Sequence, residues 1–318
     1  MIIYTPEQVR ERFGPLFSKK FLVMVDEQAG IAEILEQCQS KGTIEWDAMN
    51  RSRAGGAVIT CAVDGATMTI HARIGTYPVN FGSAGETIGG QALEGVEVNG
   101  DEVVTIWRGI AGAGVGIAAC LPQAPGVIRA EYPEEEDLVV GGARTNHVRI
   151  VSPRYEKITI GIDDTDTKTE GATWVMALKC AEACTIPGVE FQNMRLIQLN
   201  PDVPNKTTNC VGSALNFAVL PGKVETLLEY VREYVQTHTH SEEAGIAWFS
   251  GIALADPGNL AARVKTEIMT VDQATAGAKE CGIRFLLPAP TRGCIGALGA
   301  VLWANKGVEA AGLYGEHL

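Results

Sequence analysis

A chain of 318 residues with 46% hydrophobic and 20% charged side chains can bury two cores and is too apolar to stay disordered. Its formal charge of −12 is spread, with 12 basic against 19 acidic residues in 1–150 and 14 against 19 in 151–318. That balance excludes a uniformly basic nucleic-acid-binding body, so tRNA is not expected as a partner.

The first residues, Met1-Ile2-Ile3-Tyr4-Thr5-Pro6-Glu7, carry no basic, apolar leader, and no uncharged apolar run reaches bilayer-spanning length. A cytoplasmic location without membrane association is therefore expected. Residues 6–17 read as a short amphipathic helix, 21–26 as a strand and 29–39 as a second helix. Two hairpins follow. Asp64-Gly65 separates Ala57–Val63 from Thr67–Ile70, and Asn99-Gly100 separates Gly95–Val98 from Val103–Trp107; both dipeptides favour tight hairpin turns. Gly112-Ala113-Gly114-Val115-Gly116 contains the start of a G-x-G-x-x-A match. Pro122 and Pro125 leave little room for the long helix a dinucleotide site needs, so a close backbone approach is the better reading. The run Glu134-Glu135-Glu136-Asp137 and the segment Val151-Ser152-Pro153-Arg154 suggest a domain boundary near residue 150.

The second part reads strand 157–162, helix 172–184, strand 190–199, strand 213–220, helix 223–237, strand 245–251. Helices at 259–268 and 272–280, a strand at 283–287 and a last helix near 294–304 extend it. The expected fold class is α+β in two domains, 1–150 and 151–318, the second built on a ferredoxin-like βαββαβ unit.

Three segments carry candidate chemistry. Asp163-Asp164-Thr165-Asp166 ends the alternating strand Lys157–Ile162, and ligands collect at the carboxyl ends of strands in α/β architectures. Asp163 and Asp166 could share Mg²⁺, which takes one or two carboxylates plus phosphate oxygens. The competing reading is an acidic turn that caps the following helix. A calcium EF-hand does not fit, because Lys168 and Thr169 stand where a ligand and a glycine are needed. The loop Leu199–Asn209 includes Asn200, Lys206 and Thr207; Lys206 with the hydroxyls of Thr207 and Thr208 could hold phosphate, or the segment could be an ordinary polar loop. Arg292-Gly293 precedes an apolar helix, an arrangement suited to an anion or to tight helix packing. No P-loop exists in the chain.

Eight scattered cysteines read as buried thiols rather than disulfides. No second cluster turns Cys180 and Cys184 into a zinc site. His238 and His240 read as a solvated helix end.

In order, Gly161–Asp166, Leu199-Asn200-Pro201-x-x-Pro204-x-Lys206-Thr207 and Arg292-Gly293-x-Ile295-Gly296-Ala297-Leu298 resemble the ATP-using part of the archaeal tRNA-isoleucine agmatinylcytidine synthetases, over roughly 157–305. The form Ile162-Asp163-Asp164-Thr165-Asp166-Thr167-Lys168-x-x-Gly171-Ala172-Thr173-Trp174 resembles the methanogenesis marker protein 11 family. The resemblance implies ATP and Mg²⁺ as cofactors and an ATP-binding domain at 151–318. It also implies catalytic roles for Asp163, Asp164, Thr173 and Arg292, cofactor contacts from Asn200, Lys206, Thr207 and Gly293, and a metal held by Asp163 and Asp166. The synthetases have Gly-x-Cys-Thr-Thr-Tyr where this chain has Gly171-Ala172-Thr173-Trp174, so Thr173 matches their second threonine only with gaps. The leading expectation is phosphoryl transfer or substrate activation in a methanogenesis-associated pathway, on an unidentified small molecule or protein. The alternatives are a non-catalytic assembly factor for methyl-coenzyme M reductase components and, third, tRNA modification.

Overall fold

The structure, a computed structural model, describes residues 1–81, 89–207, 209–287 and 289–318. The chain divides into two compact units, Met1–Tyr155 and Glu156–Leu318.

In the first unit, strand β1 (Ile2–Tyr4) leads into helix α1 (Pro6–Phe13). Thr5 and Gln8 close a reciprocal capping box and Pro6 supplies the first helical residue, which satisfies the otherwise unpaired amides at that end. Strands β2 (Ser18–Asp26), β3 (Ile31–Cys38), β4 (Val58–Asp64) and β5 (Thr67–Arg73) form an antiparallel sheet in the order β4-β5-β3-β2. A second sheet joins β6 (Gly75–Thr76), β7 (Gly90–Asn99), β8 (Glu102–Ile110) and the first part of β10 (Thr145–Asp163), with β9 (Arg129–Tyr132) between β1 and β10. Gly65 and Gly100 take positive φ at the two hairpins, the backbone that Asp-Gly and Asn-Gly turns demand. The glycine-rich stretch after β8 forms short helical turns over 113–123. Its glycines admit close neighbours there, since a Cβ at Gly114 or Gly116 would run into Asn146 or Gln91.

The segment expected to be helical at 29–39 is strand β3. Its helix-favouring Glu and Gln residues are overridden by pairing on both sides, to β2 and β5, because packing context decides between weak propensities. The unanticipated helix is α2 (Lys41–Ala54), which buries Asn50 and Arg51 along with Ile44, Ala48 and Ala54. Arg51 is 1% exposed. It donates from Nε and Nη2 to Gln91 Oε1 at 3.0 and 2.9 Å, pairs with Glu36, and lies 4.6 Å over the Trp107 ring.

In the second unit the remainder of β10 is followed by α3 (Thr173–Glu182), β11 (Val189–Gln198), β12 (Val211–Val219), α4 (Val224–His238) and β13 (Gly245–Ser250). Then come α5 (Leu260–Thr266), α6 (Val271–Glu280), the two-residue β14 (Arg284–Phe285) and α7 (Gly293–Trp303). The strands lie β11-β12-β10-β13-β14, each antiparallel to its neighbour. Side chains alternate across this sheet as the pleat requires. Ile158, Ile160, Ile162, Leu215 and Phe217 meet Leu227, Val231 and Val235 of α4 on one face. On the other, Ala214 and Ala247 meet Ala297, Leu298 and Val301 of α7 with Leu260 of α5.

Helix α7 is apolar all round because it is buried nearly all round. Its backbone rests directly on the sheet: a Cβ at Gly161 would strike the Ala297 carbonyl, and one at Gly245 would strike Gly293 and Cys294. That approach brings Arg292 to the end of β10, beside the aspartates. Among the described residues, no helix is long and apolar enough to cross a membrane.

Candidate active site

Strand β10 ends at Asp163, and Asp164 turns the chain with a φ of +53°. A left-handed backbone is uncommon outside glycine and tolerated best by Asn and Asp. The carboxylate exposed by this turn accepts from Arg292 Nε at 3.0 Å. Asp166 faces threonines instead. Its Oδ1 accepts from Thr173 Oγ1 and Thr207 Oγ1, each at 3.2 Å. Thr173 is itself fixed, accepting at 3.1 Å from both the amide and the hydroxyl of Thr165. Two sequence-distant loops thus converge on one carboxylate.

Asp163 lies on the sheet face that carries α7. A Cβ at Gly296 would fall on its carboxylate, so the glycine is what admits this acid beside the first turns of the helix. Burial pushes the Asp163 carboxyl well above the usual carboxylate range, and the charges of Asp164 and Asp166 push it further; Arg292 opposes them. Asp164 is also raised by burial, against the stabilising hydrogen bond of Arg292. Three acids so close favour something positive between them.

These groups line one cavity of about 570 Å³, together with Asn200, Lys206, Thr207 and Cys210. A cavity of this size suits a nucleotide-sized ligand. The Cys210 thiol is pushed up to about 11, first by burial and then by Asp163, which disfavours the thiolate at neutral pH.

Of the residues expected from sequence, Asp163, Asp164, Asp166, Thr173, Asn200, Lys206, Thr207 and Arg292 all line this cavity. Thr208 lies outside the described residues. Gly293 stands apart. Its amide donates to the Glu243 carbonyl at 3.0 Å and the Arg292 amide donates to the Glu243 carboxylate at 3.0 Å, so the opening amides of α7 are occupied internally. Asn200, nearly buried, accepts from the Asp202 amide at 3.0 Å, and Lys206 Nζ donates to the Pro201 carbonyl; both shape their own loop. His238 stacks on Tyr234 at 4.1 Å and His240 faces Glu170 at 3.5 Å.

Sequence reasoning did not anticipate one wall of the cavity, formed by Val264 of α5 with Glu267, Ile268 and Met269 between α5 and α6, nor the part of Trp174 in it. What marks them in the structure is apolar residues left in the open. Ile268 is 64% and Trp174 48% exposed, and such residues mark binding surfaces when they cluster at a cavity.

Among the described residues no group of three or more His, Cys, Asp or Glu side chains is arranged to hold an ion by itself. Asp163 and Asp166 are hard oxygen donors beside a surplus of negative charge, which fits an ion that takes one or two carboxylates and completes its shell with phosphate and water.

The likeness to known proteins falls on this site. The family model for the TiaS TCKD domain matches residues 159–227, which include the aspartates, Thr173 and the Asn200–Thr207 loop. The tRNA(Ile2) 2-agmatinylcytidine synthetase TiaS of Pyrococcus horikoshii is 27% identical over 146 residues, 45% of this chain and 34% of that protein. Its counterpart from Pyrobaculum neutrophilum is 31% identical over 151 residues, 46% and 35%. The crystal structure of the TiaS–tRNA(Ile2)–ATP complex shares 26% identity at a TM-score of 0.41, covering 46% of this chain and 36% of that one. The chain spans about a third of the length of these synthetases. The broader relationship is with uncharacterized protein MJ0921 of Methanocaldococcus jannaschii, 30% identical over 285 residues, 89% of this chain and 92% of the relative. The chain belongs to the family of that protein.

One expectation is overturned here. The acidic balance argued against tRNA, yet relatives that match nearly half of this chain are named as tRNA(Ile2) 2-agmatinylcytidine synthetases. Net charge averages over a whole surface, whereas an RNA segment meets only the side chains at its own contact.

Proposed function

We propose that this chain is an Mg²⁺–ATP-dependent enzyme that activates a nucleotide of an RNA substrate, as its likeness to TiaS suggests. The observation that carries the reading is the single cavity in which Asp163, Asp164, Asp166, Lys206, Thr207 and Arg292 meet, most of it inside the segment matched by the TiaS TCKD model. The names of the matched relatives favour tRNA modification over a methanogenesis pathway or a reductase assembly role. A cytoplasmic setting accords with that substrate. The order β11-β12-β10-β13, with α3 and α4 on one face, supports a ferredoxin-like description of the second unit. The first unit is proposed to supply substrate surface.

Catalysis of this kind is mostly positioning and charge neutralisation. Asp163 and Asp166 would hold Mg²⁺, which when bound neutralises phosphate oxygens. Thr173 and Thr207 fix the Asp166 carboxylate by donating to the same oxygen. The Thr173 hydroxyl, resting on that acid, stands beside the proposed transfer. Arg292 is held by Asp164 and would meet developing negative charge. Lys206 would leave its loop carbonyl for a phosphate, while Asn200 keeps that loop in shape.

Calorimetric titration with Mg²⁺–ATP tests this. Wild type should bind, Asp163→Asn and Asp166→Asn should lose metal-dependent binding, and a tRNA transcript should stimulate ATP turnover. Equal affinity in all three proteins, or none in wild type, would sink the reading.

A further inference from the structure

We propose that Trp174 is a stacking platform for an unpaired base of the RNA substrate. This rests on the ATP-dependent reading above and extends it to how the acceptor is held.

The apolar side chains that line the cavity differ in exposure. Leu199, Val264 and Met269 are 5%, 4% and 8% exposed. A ring seated against such buried side chains would be closed off from solvent, which suits a free nucleotide that enters whole. Trp174 is different. It is the second residue of α3, it lines the cavity, and it is nearly half exposed. Leu196, 40% exposed, and Lys168, also exposed, line the same cavity.

A large indole left open at a cavity is costly unless something covers it. An unpaired base of a polymer suits this cover better than adenine does. A base on an open ring keeps its sugar and phosphates outside, where the chain must lead away, and Lys168 supplies a positive charge for that backbone. The residue before Trp174 is Thr173, whose hydroxyl contacts Asp166. A base stacked on Trp174 would share the cavity with the acidic group proposed to hold Mg²⁺. Aromatic stacking is how proteins hold unpaired bases, since RNA duplexes hide their base edges in a deep groove.

The test uses the full chain with Trp174→Ala and Trp174→Phe, both checked by thermal melting. Two probes are titrated separately: a stem-loop oligoribonucleotide with an unpaired loop by fluorescence anisotropy, and Mg²⁺–ATP by calorimetry. The expected result is a stem-loop affinity lowered roughly 5- to 100-fold by Trp174→Ala, largely restored by Trp174→Phe, with unchanged Mg²⁺–ATP affinity. Loss of Mg²⁺–ATP affinity with stem-loop binding intact would assign Trp174 to adenine and overturn the proposal, as would no change in either. A wild type that binds Mg²⁺–ATP but not the stem-loop also overturns it and leaves the ATP reading standing. A wild type that binds the stem-loop but not Mg²⁺–ATP does the reverse, and the Trp174 variants still decide the stacking.

Discussion

At the scale of single residues, both units bury acids, but they compensate them differently. In the second unit the carboxylates crowd one another and Arg292 reaches only Asp164 by hydrogen bond. In the first unit Arg51 serves Glu36 closely and Asp47 at 3.8 Å. Asp47 comes off second, and burial raises its carboxyl to about 6 despite Arg51. The sign of the consequence is fixed by linkage. An acid whose folded value lies above its unfolded one binds the extra proton in the native state. Its contribution to stability is therefore full below about 4 and is lost as pH rises through about 6. Asp47→Asn should remove that loss, so the variant gains on wild type between pH 4 and 7 by up to about 3 kcal/mol. Denaturant melts at pH 4.5 and 7.5 check this; a variant-minus-wild-type difference that is flat with pH would contradict it.

At the scale of elements, helix α7 shows how glycines set a site rather than merely a fold. A Cβ at Gly245 would meet the backbone of Gly293 and Cys294, which cannot turn aside, whereas one at Gly296 would meet the Asp163 carboxylate, which can rotate. Gly245→Ala should therefore cost about 1–3 kcal/mol or more by overpacking. Gly296→Ala should cost less in a melt yet displace Asp163 and weaken Mg²⁺–ATP binding. Equal stability losses in the two variants would contradict this division. Elements with a clean period were legible in the sequence: Leu227, Val231 and Val235 mark α4, and Ile158, Ile160 and Ile162 mark β10. Helix α2 was not, because it turns Arg51 and Asn50 inward, a face that apolar periodicity cannot register. Strand β3 was not, because its buried acids have partners: Glu33 meets His71 at 2.8 Å and Glu36 meets Arg51. In the candidate site, the aspartates and the Lys206 loop stood out as chemistry. The α5–α6 wall did not, since apolar cavity lining and apolar core look alike until exposure is known.

At the scale of the whole molecule, a charge of −12 says little about any one contact, and the composition of separate cores says more. The first hydrophobic cluster runs from Val9 to Ile150, and the other two draw only on residues from Ile158 onward. The described side chains that line the candidate cavity likewise all fall within Glu156–Leu318. A domain of about 150 residues can bury roughly 68–70% of its unfolded surface, enough for a cooperative core. The fragment 156–318 should therefore unfold in a single cooperative transition when followed by circular dichroism. If it also carries the complete nucleotide site, its Mg²⁺–ATP affinity should stay within a few-fold of the full chain. Stem-loop affinity should fall if the first unit supplies substrate surface. A fragment that melts without a transition would show that these cores do not stand alone. A fragment that melts cooperatively but binds the stem-loop as tightly as the full chain would remove the first unit from substrate recognition.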